Sequence, residues 1–223
     1  MKKAFILLLI LLLVGSAYAD TDISAMTDKE LYALRRAINE ELASRAIEQR
    51  NIKEGMTIAE IFPDEWLAKN IRDKLGKFST KDVVTQNELD KITSLRISGQ
   101  TTEHIQVTTI EGVQYLHGLT SLEINDQINI AEIPEWISTL TNLKRLEFRY
   151  CDAITIVPDS ICSLVNLQSL DLERTSITSL PDDIGNLINL KTLDISYTKI
   201  TELPASIYGL KLETFNRKGL DLD

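Results

Sequence analysis

Histidine and cysteine are scarce, with two histidines and two cysteines in 223 residues. His104 and His117 have no cysteine and no close histidine partner at ligand spacing, so no zinc box can be drawn. The nine glycines are scattered, and none forms the Gly-rich string that cradles a phosphate. Nucleophile, base and orienting residue never occur together as a triad. Basic residues are also in deficit, 24 against 33 acidic ones, which argues against nucleic acid and against an anionic membrane surface as partners. The one unbroken apolar run, Ala4 to Val14, is too short for a standard membrane span. No L-P-x-T-G string and no C-terminal apolar tail occur.

Proline is rare too, but four of the five prolines are placed with regularity. Pro134, Pro158, Pro181 and Pro204 lie 24, 23 and 23 residues apart, each after an aliphatic residue and three before an isoleucine. Around them one string recurs: IAEIPEWISTLTNLKRLEF, ITIVPDSICSLVNLQSLDL, ITSLPDDIGNLINLKTLDI and ITELPASIYGLKLETF. Self-similarity at this period predicts a solenoid. Leu119-x-x-Leu122-x-Ile124, Leu143-x-x-Leu146-x-Phe148, Leu167-x-x-Leu170-x-Leu172 and Leu190-x-x-Leu193-x-Ile195 end in a period-2 alternation, which predicts one half-buried strand per repeat. Three residues later come Gln127, Cys151, Thr175 and Thr198, placed to form an inward hydrogen-bonded ladder. Proline then opens a return segment as its first helical residue. Ile137, Ile161, Ile184 and Ile207 bury that segment's inner side. No repeat can bury its apolar face alone, so the units must stack, with their strands in a parallel sheet.

These residues resemble the leucine-rich repeat family, with the bacterial L-P-x-x-I-x-x-L form of the return segment, from about Ile92 to Phe215. The resemblance implies an α/β solenoid with a parallel concave β-sheet and short convex helices. Asparagine is missing from the ladder positions. The last unit is one residue short, so that Leu212, Phe215 and Arg217 only half complete a strand. Residues 61–99 resemble the helical cap of internalin-like surface proteins, which leads through V-T-Q-x-x-L-D-x-I-T-S-L into the first strand. Locally, Pro63 and Asp64 start a helix whose Trp66, Leu67, Ile71 and Leu75 share one face, and Gly76 stops it. Thr85-x-x-Glu88 is a capping box for a second helix.

The N-terminal MKKAFILLLILLLVGSAYA, with two lysines, an apolar core and an Ala17-Tyr18-Ala19 ending, predicts a secretory signal peptide over residues 1–19. Its removal takes two lysines, leaves 22 basic against 33 acidic residues and moves the net charge from −9 to −11. The expected location is secreted or periplasmic, without membrane insertion after cleavage. Residues 20–60 form an N-terminal helix and linker, residues 61–91 the cap, and residues 92–223 about five repeats. Within the first of these, Thr27-x-x-Glu30 and the stripe Leu31, Leu34, Ile38 and Leu42 predict an amphipathic helix. The stripe either folds back on the cap or pairs through residues 27–48 with another copy or a partner. For Cys151 and Cys162, bridge and free thiols both remain open, since one points into the ladder and the other outward on the convex side.

Function is expected on the concave sheet. Down the stack the fifth position reads Arg96, Glu123, Glu147, Asp171 and Asp194, a row dominated by carboxylates. The seventh reads Ser98, Asn125, Arg149, Glu173 and Ser196, and the eighth Gly99, Asp126, Tyr150, Arg174 and Tyr197. Five strands at ~4.8 Å spacing make a face roughly 20 Å wide, suited to a protein loop, a peptide or a surface polymer and too flat for deep small-molecule burial. The expected ligand-binding residues are Glu123, Asn125, Asp126, Glu147, Arg149, Tyr150, Asp171, Glu173, Arg174, Asp194 and Tyr197. The expected activity is non-catalytic binding, without cofactor, metal or nucleic acid. Two alternatives are an envelope protein self-associating through the N-terminal helix and a hydrolase with a site near His104.

Overall fold

The computed structural model describes residues 51–99 and 106–220. The signal peptide, the helix and apolar stripe of residues 27–48, and His104 fall outside them. Three short helices come first: α1 (Ile58–Ile61), α2 (Glu65–Lys74) and α3 (Gln86–Leu89). Asp64 caps α2 by accepting from Leu67 N–H at 2.9 Å, and Gly76 ends it with φ +64°. Thr85 and Glu88 close the expected capping box on α3, and Thr57 and Glu60 form the same device on α1. On α2, Leu67 and Ile71 are fully buried, while Trp66 and Leu75 pack against the core half-buried.

Six parallel strands follow in sequence order: β1 (Ser94–Ser98), β2 (Ser121–Asn125), β3 (Arg145–Glu147), β4 (Ser169–Asp171), β5 (Thr192–Asp194) and β6 (Thr214–Asn216). The count exceeds expectation by one. Phe215 stands in register with Leu193, because a backbone ladder forms without a complete set of inward side chains. At ~4.8 Å per strand the sheet is roughly 24 Å wide. Leu95, Leu122, Leu146, Leu170 and Leu193 align across the strands and form one column of the core, each at most 1% exposed. The fold is the α/β leucine-rich repeat solenoid with an N-terminal helical cap that the residue pattern implies.

The return segments are single turns of 3₁₀ helix, Glu135–Thr139, Asp159–Ser163, Ile184–Asn186 and Ala205–Gly209. Proline is not their first helical residue. Pro134, Pro158 and Pro204 are extended N-caps, with ψ between 141° and 150°, and their carbonyls accept from the N–H of Ile137, Ile161 and Ile207. Three-residue closure follows from the short distance to the next inward leucine, which leaves no room for a full α-turn.

Two ladders tie the turns together. In the inward one, Cys151 Sγ contacts the Ile124 carbonyl of the preceding repeat at 3.4 Å, and Gln127 Oε1 accepts from Val107 N–H at 2.8 Å. Thr175 and Thr198 turn back onto their own strands, donating to the Leu172 and Ile195 carbonyls. Side chains this short reach the near carbonyl first. The second ladder was not foreseen. Asn142, Asn166 and Asn189, each before an inward leucine, donate to the carbonyls of His117, Thr141 and Val165 one repeat back. Asparagine is thus present as a ladder residue on the opposite side of the strand.

The cap is joined to the repeats by close backbone approach and by buried polar contacts. A Cβ at Gly118 would lie 2.0 Å from the Asp90 carbonyl oxygen. Asp64, 6% exposed, accepts from both Thr108 N–H and Thr108 Oγ–H at 2.8 and 3.0 Å through its second oxygen. Gln86 donates to the Tyr115 carbonyl at 2.7 Å.

Candidate functional site

The fifth-position carboxylates line up as expected, with Glu123, Glu147, Asp171 and Asp194 in register on β2 to β5. Their depth differs from expectation. Exposure of the side chain is 23% for Glu123, 4% for Glu147, 16% for Asp171 and 14% for the seventh-position Glu173. Above them stand the arginines, Arg96 at 71%, Arg145 at 50%, Arg149 at 37% and Arg174 at 52%. The row that reads as acidic in sequence therefore presents guanidinium groups to solvent. Arg145 was missed, although Arg145, Glu147 and Arg149 alternate on one face. Asn125 and Ser196 are buried rather than outward. Asn125 Oδ1 accepts from Arg149 N–H at 3.0 Å, and Ser196 donates its hydroxyl to Asp194 at 2.5 Å, so both are structural.

Ion pairs hold the arginines in place. Arg145 pairs closely with Glu147, and its Nε lies 3.6 Å from Glu123. Arg149 binds Glu173 at 2.5 Å and approaches Asp171 at 3.4 Å. Among the described residues, Arg174 has only a 4.0 Å approach to Glu173. Burial pushes the Asp171 carboxyl up to about 6, with the Asp194 and Glu147 charges adding to it; Glu173 N–H and Arg149 act in the other direction. Oxygens of Asp171, Glu173 and Asp194 lie within 4.8 Å of one another. They already accept from Arg149, from Ser196 and, at 2.7 Å, from Asn216.

The eighth position is not part of the strand. Asp126, Tyr150, Arg174 and Tyr197 have φ of +58°, +56°, +54° and +56°, each in the left-handed region. Their N–H groups donate to the carbonyls of Arg149, Glu173, Ser196 and Lys218 in the next repeat. The ladder thus runs past each strand end and fixes a turn that only glycine adopts without strain. The corresponding residue of the last repeat is Gly219, φ +78°. The side chains of this column stack. Arg174 Cζ lies 5.3 Å from the Tyr150 ring centre and 4.9 Å from that of Tyr197, Arg149 flanks Tyr150 at 5.5 Å, and Lys218 flanks Tyr197 at 5.9 Å. Tyr150 and Arg174 are thus neighbours across one step. Tyr197 is 41% exposed and ends the stack toward solvent.

Elsewhere, Cys151 and Cys162 are free and buried, and burial raises both thiols to about 11. Cys162 was expected on the convex exterior; at 6% exposed it belongs to the core. His117 lies against Gln86 and Asp90 at the joint between cap and repeats. An open groove of about 830 Å³ runs past Ile133, Trp136, Ile156 and Pro158, away from the strands. Among the described residues no helix is long and apolar enough to cross a membrane.

Residues 44–90 match a family model described as a bacterial adhesion/invasion protein N terminal, and residues 155–213 match one described as a leucine-rich repeat region. Internalin H of Listeria monocytogenes is 45% identical over 85 residues, which is 37% of this chain and 15% of that protein. The chain thus spans a small part of this curated relative. The crystal structure of internalin C2 from Listeria monocytogenes superimposes with a TM-score of 0.51 at 27% identity, covering 78% of this chain and 92% of that one. A leucine-rich repeat protein of Leptospira interrogans gives 0.53 at 25% identity, over 61% of this chain and 39% of the other.

Proposed function

We propose, because this chain is an internalin-like bacterial leucine-rich repeat protein, that it is an exported, non-catalytic module whose concave face binds a protein ligand. Protein–protein interaction is what the family suggests. The finer reading, that binding occurs at the column of Tyr150, Arg174 and Tyr197 and the guanidinium groups beside it, rests on one observation. Three successive repeats hold a tyrosine, an arginine and a tyrosine at a left-handed backbone position, where glycine would be easier. Tyrosine and arginine most often carry interface energy, since each joins a large contact area to directed hydrogen bonds. Export is supported by the signal-like leader.

The test is capture of a ligand by the full chain, followed by Tyr150→Gly and Tyr197→Gly. Glycine keeps the backbone turn, so melts should hold or rise, while binding should weaken by roughly 1 kcal/mol or more for each change. Asp159→Ala on the return segment should do nothing. Ligand binding untouched by both glycine variants would move the site off this face.

A further inference from the structure

The charge layering of the concave face carries an inference about what binds there, and it rests on that face being the binding face. Its carboxylates lie low and are engaged by the arginines above them. Arg145 and Arg149 use one side of their guanidinium groups on a carboxylate, and the planar group has five N–H donors in a fixed fork. The unused donors point away from the pair. Arg174 is the freest, with its nearest carboxylate among the described residues at 4.0 Å and its Cζ 5.3 and 4.9 Å from the centres of two tyrosine rings. Guanidinium groups held in place before binding lose little side-chain freedom when they meet a carboxylate in bidentate geometry.

From this we propose that the concave face takes an acidic extended peptide segment of a partner protein, with the ligand's carboxylates on Arg149 and Arg174 and its backbone N–H groups on the partly accessible carboxylates. The face offers both signs. Glu123 remains partly accessible beside Arg96 and Arg145, and Asp126 is half-buried just past the end of the same strand. A peptide can satisfy both, because it brings N–H donors along with its acidic side chains. A uniformly anionic glycan or polyphosphate would place charge against the same carboxylates without a donor to offer. The whole-chain charge of −9 points the other way, toward basic ligands. It is the exposed layer that a ligand meets.

The experiment uses the full chain with two fluorescein-labelled ten-residue peptides, alternating glutamate–alanine and alternating lysine–alanine, and unlabelled polyphosphate as competitor. The glutamate peptide should bind at least tenfold more tightly than the lysine peptide and weaken as salt rises from about 50 to 300 mM. Arg174→Gln should lower its affinity at least fivefold with an unchanged melt, and Arg174→Lys should restore only part of it. Equal or tighter binding of the lysine peptide overturns the proposal, as does an unaffected Arg174→Gln. Polyphosphate displacing the glutamate peptide more effectively than the unlabelled peptide does would assign the face to an anionic polymer instead. Should the peptides fail while a captured protein ligand is lost on Tyr197→Gly, the face stands and the acidic class falls. Loss of neither would sink both readings.

Discussion

Asp171 should make the protein more stable when it loses its charge. Its carboxyl stands between Glu147 and Asp194 in register on neighbouring strands, a direct stacking of like charges. Burial is the largest cause of its rise from 3.8 to about 6. A raised carboxylate favours the folded state when protonated. Its stabilising contribution is therefore fully present below pH 3.8 and is lost as pH rises through about 6. Two units at about 1.4 kcal/mol each set a ceiling of about 3 kcal/mol on what ionisation costs at neutral pH. Asp171→Asn removes that charge and keeps the acceptor for Glu173 N–H, now at 3.0 Å. Its amide can also donate to Glu147 or Asp194. Urea melts at pH 7.5 should show the variant more stable than the parent by roughly 1 to 3 kcal/mol, and melts at pH 4.5 should show the gain mostly gone. A variant destabilised at pH 7.5, or one with the same difference at both values, would refute the reasoning and make the Arg149–Asp171 attraction the larger effect.

Leu146→Ala and Leu170→Ala, in repeats with neighbours on both sides, should each cost about 2 to 5 kcal/mol in denaturant melts, and half-buried Leu212→Ala clearly less. Asp64→Ala removes both the α2 cap and the acceptor for Thr108; it should cost about 2 kcal/mol, and hydrogen exchange should speed at Leu67 and Thr108 N–H before the central strands. Arg217 is exposed where the preceding repeats carry inward Ile124, Phe148, Leu172 and Ile195, so Arg217→Ile should bring concentration-dependent self-association in light scattering by removing a charge from the β6 edge. Lys77 and the Thr85 N–H hold Glu88 at about 2, so its contribution is present above about 4.5 and lost as pH falls toward 2; Lys77→Met should shrink the loss of stability on acidification below pH 4.5.

The inward side of this protein was readable in sequence and the outward side only in part, for a physical reason. Inward positions are set by burial, and burial needs the same apolar type at the same phase in every repeat, as Leu122, Leu146, Leu170 and Leu193 show. Outward positions have no such requirement. Alternation says which face Glu147 and Arg145 share, but it does not say that one side chain lies beneath the other. That depends on side-chain length and on partners 22 to 24 residues away, as in the Asn125–Glu147 and Arg149–Glu173 contacts. The Asn142, Asn166 and Asn189 ladder was legible, since each precedes an inward leucine at a fixed phase. The left-handed turns were not, because no glycine marks Asp126, Tyr150, Arg174 or Tyr197.

Those turns also bear on whether the aromatic column exists for stability. A left-handed backbone costs a non-glycine residue about 1 to 2 kcal/mol. An exposed cation–π contact returns about 0.5 to 1 kcal/mol. With Arg174 between two rings, and Arg149 and Lys218 at the flanks, gain and cost nearly cancel over the column. By this reckoning glycine at all three positions would fold about as well; Gly219 of the last repeat makes room for the Tyr197 ring, since a Cβ there would lie 2.8 Å from it. The stacking of Tyr150, Arg174 and Tyr197 therefore adds little net stability to the fold. On the proposed reading, their place is the surface they present, in which rigid rings and a guanidinium between them meet a ligand without losing much freedom on binding.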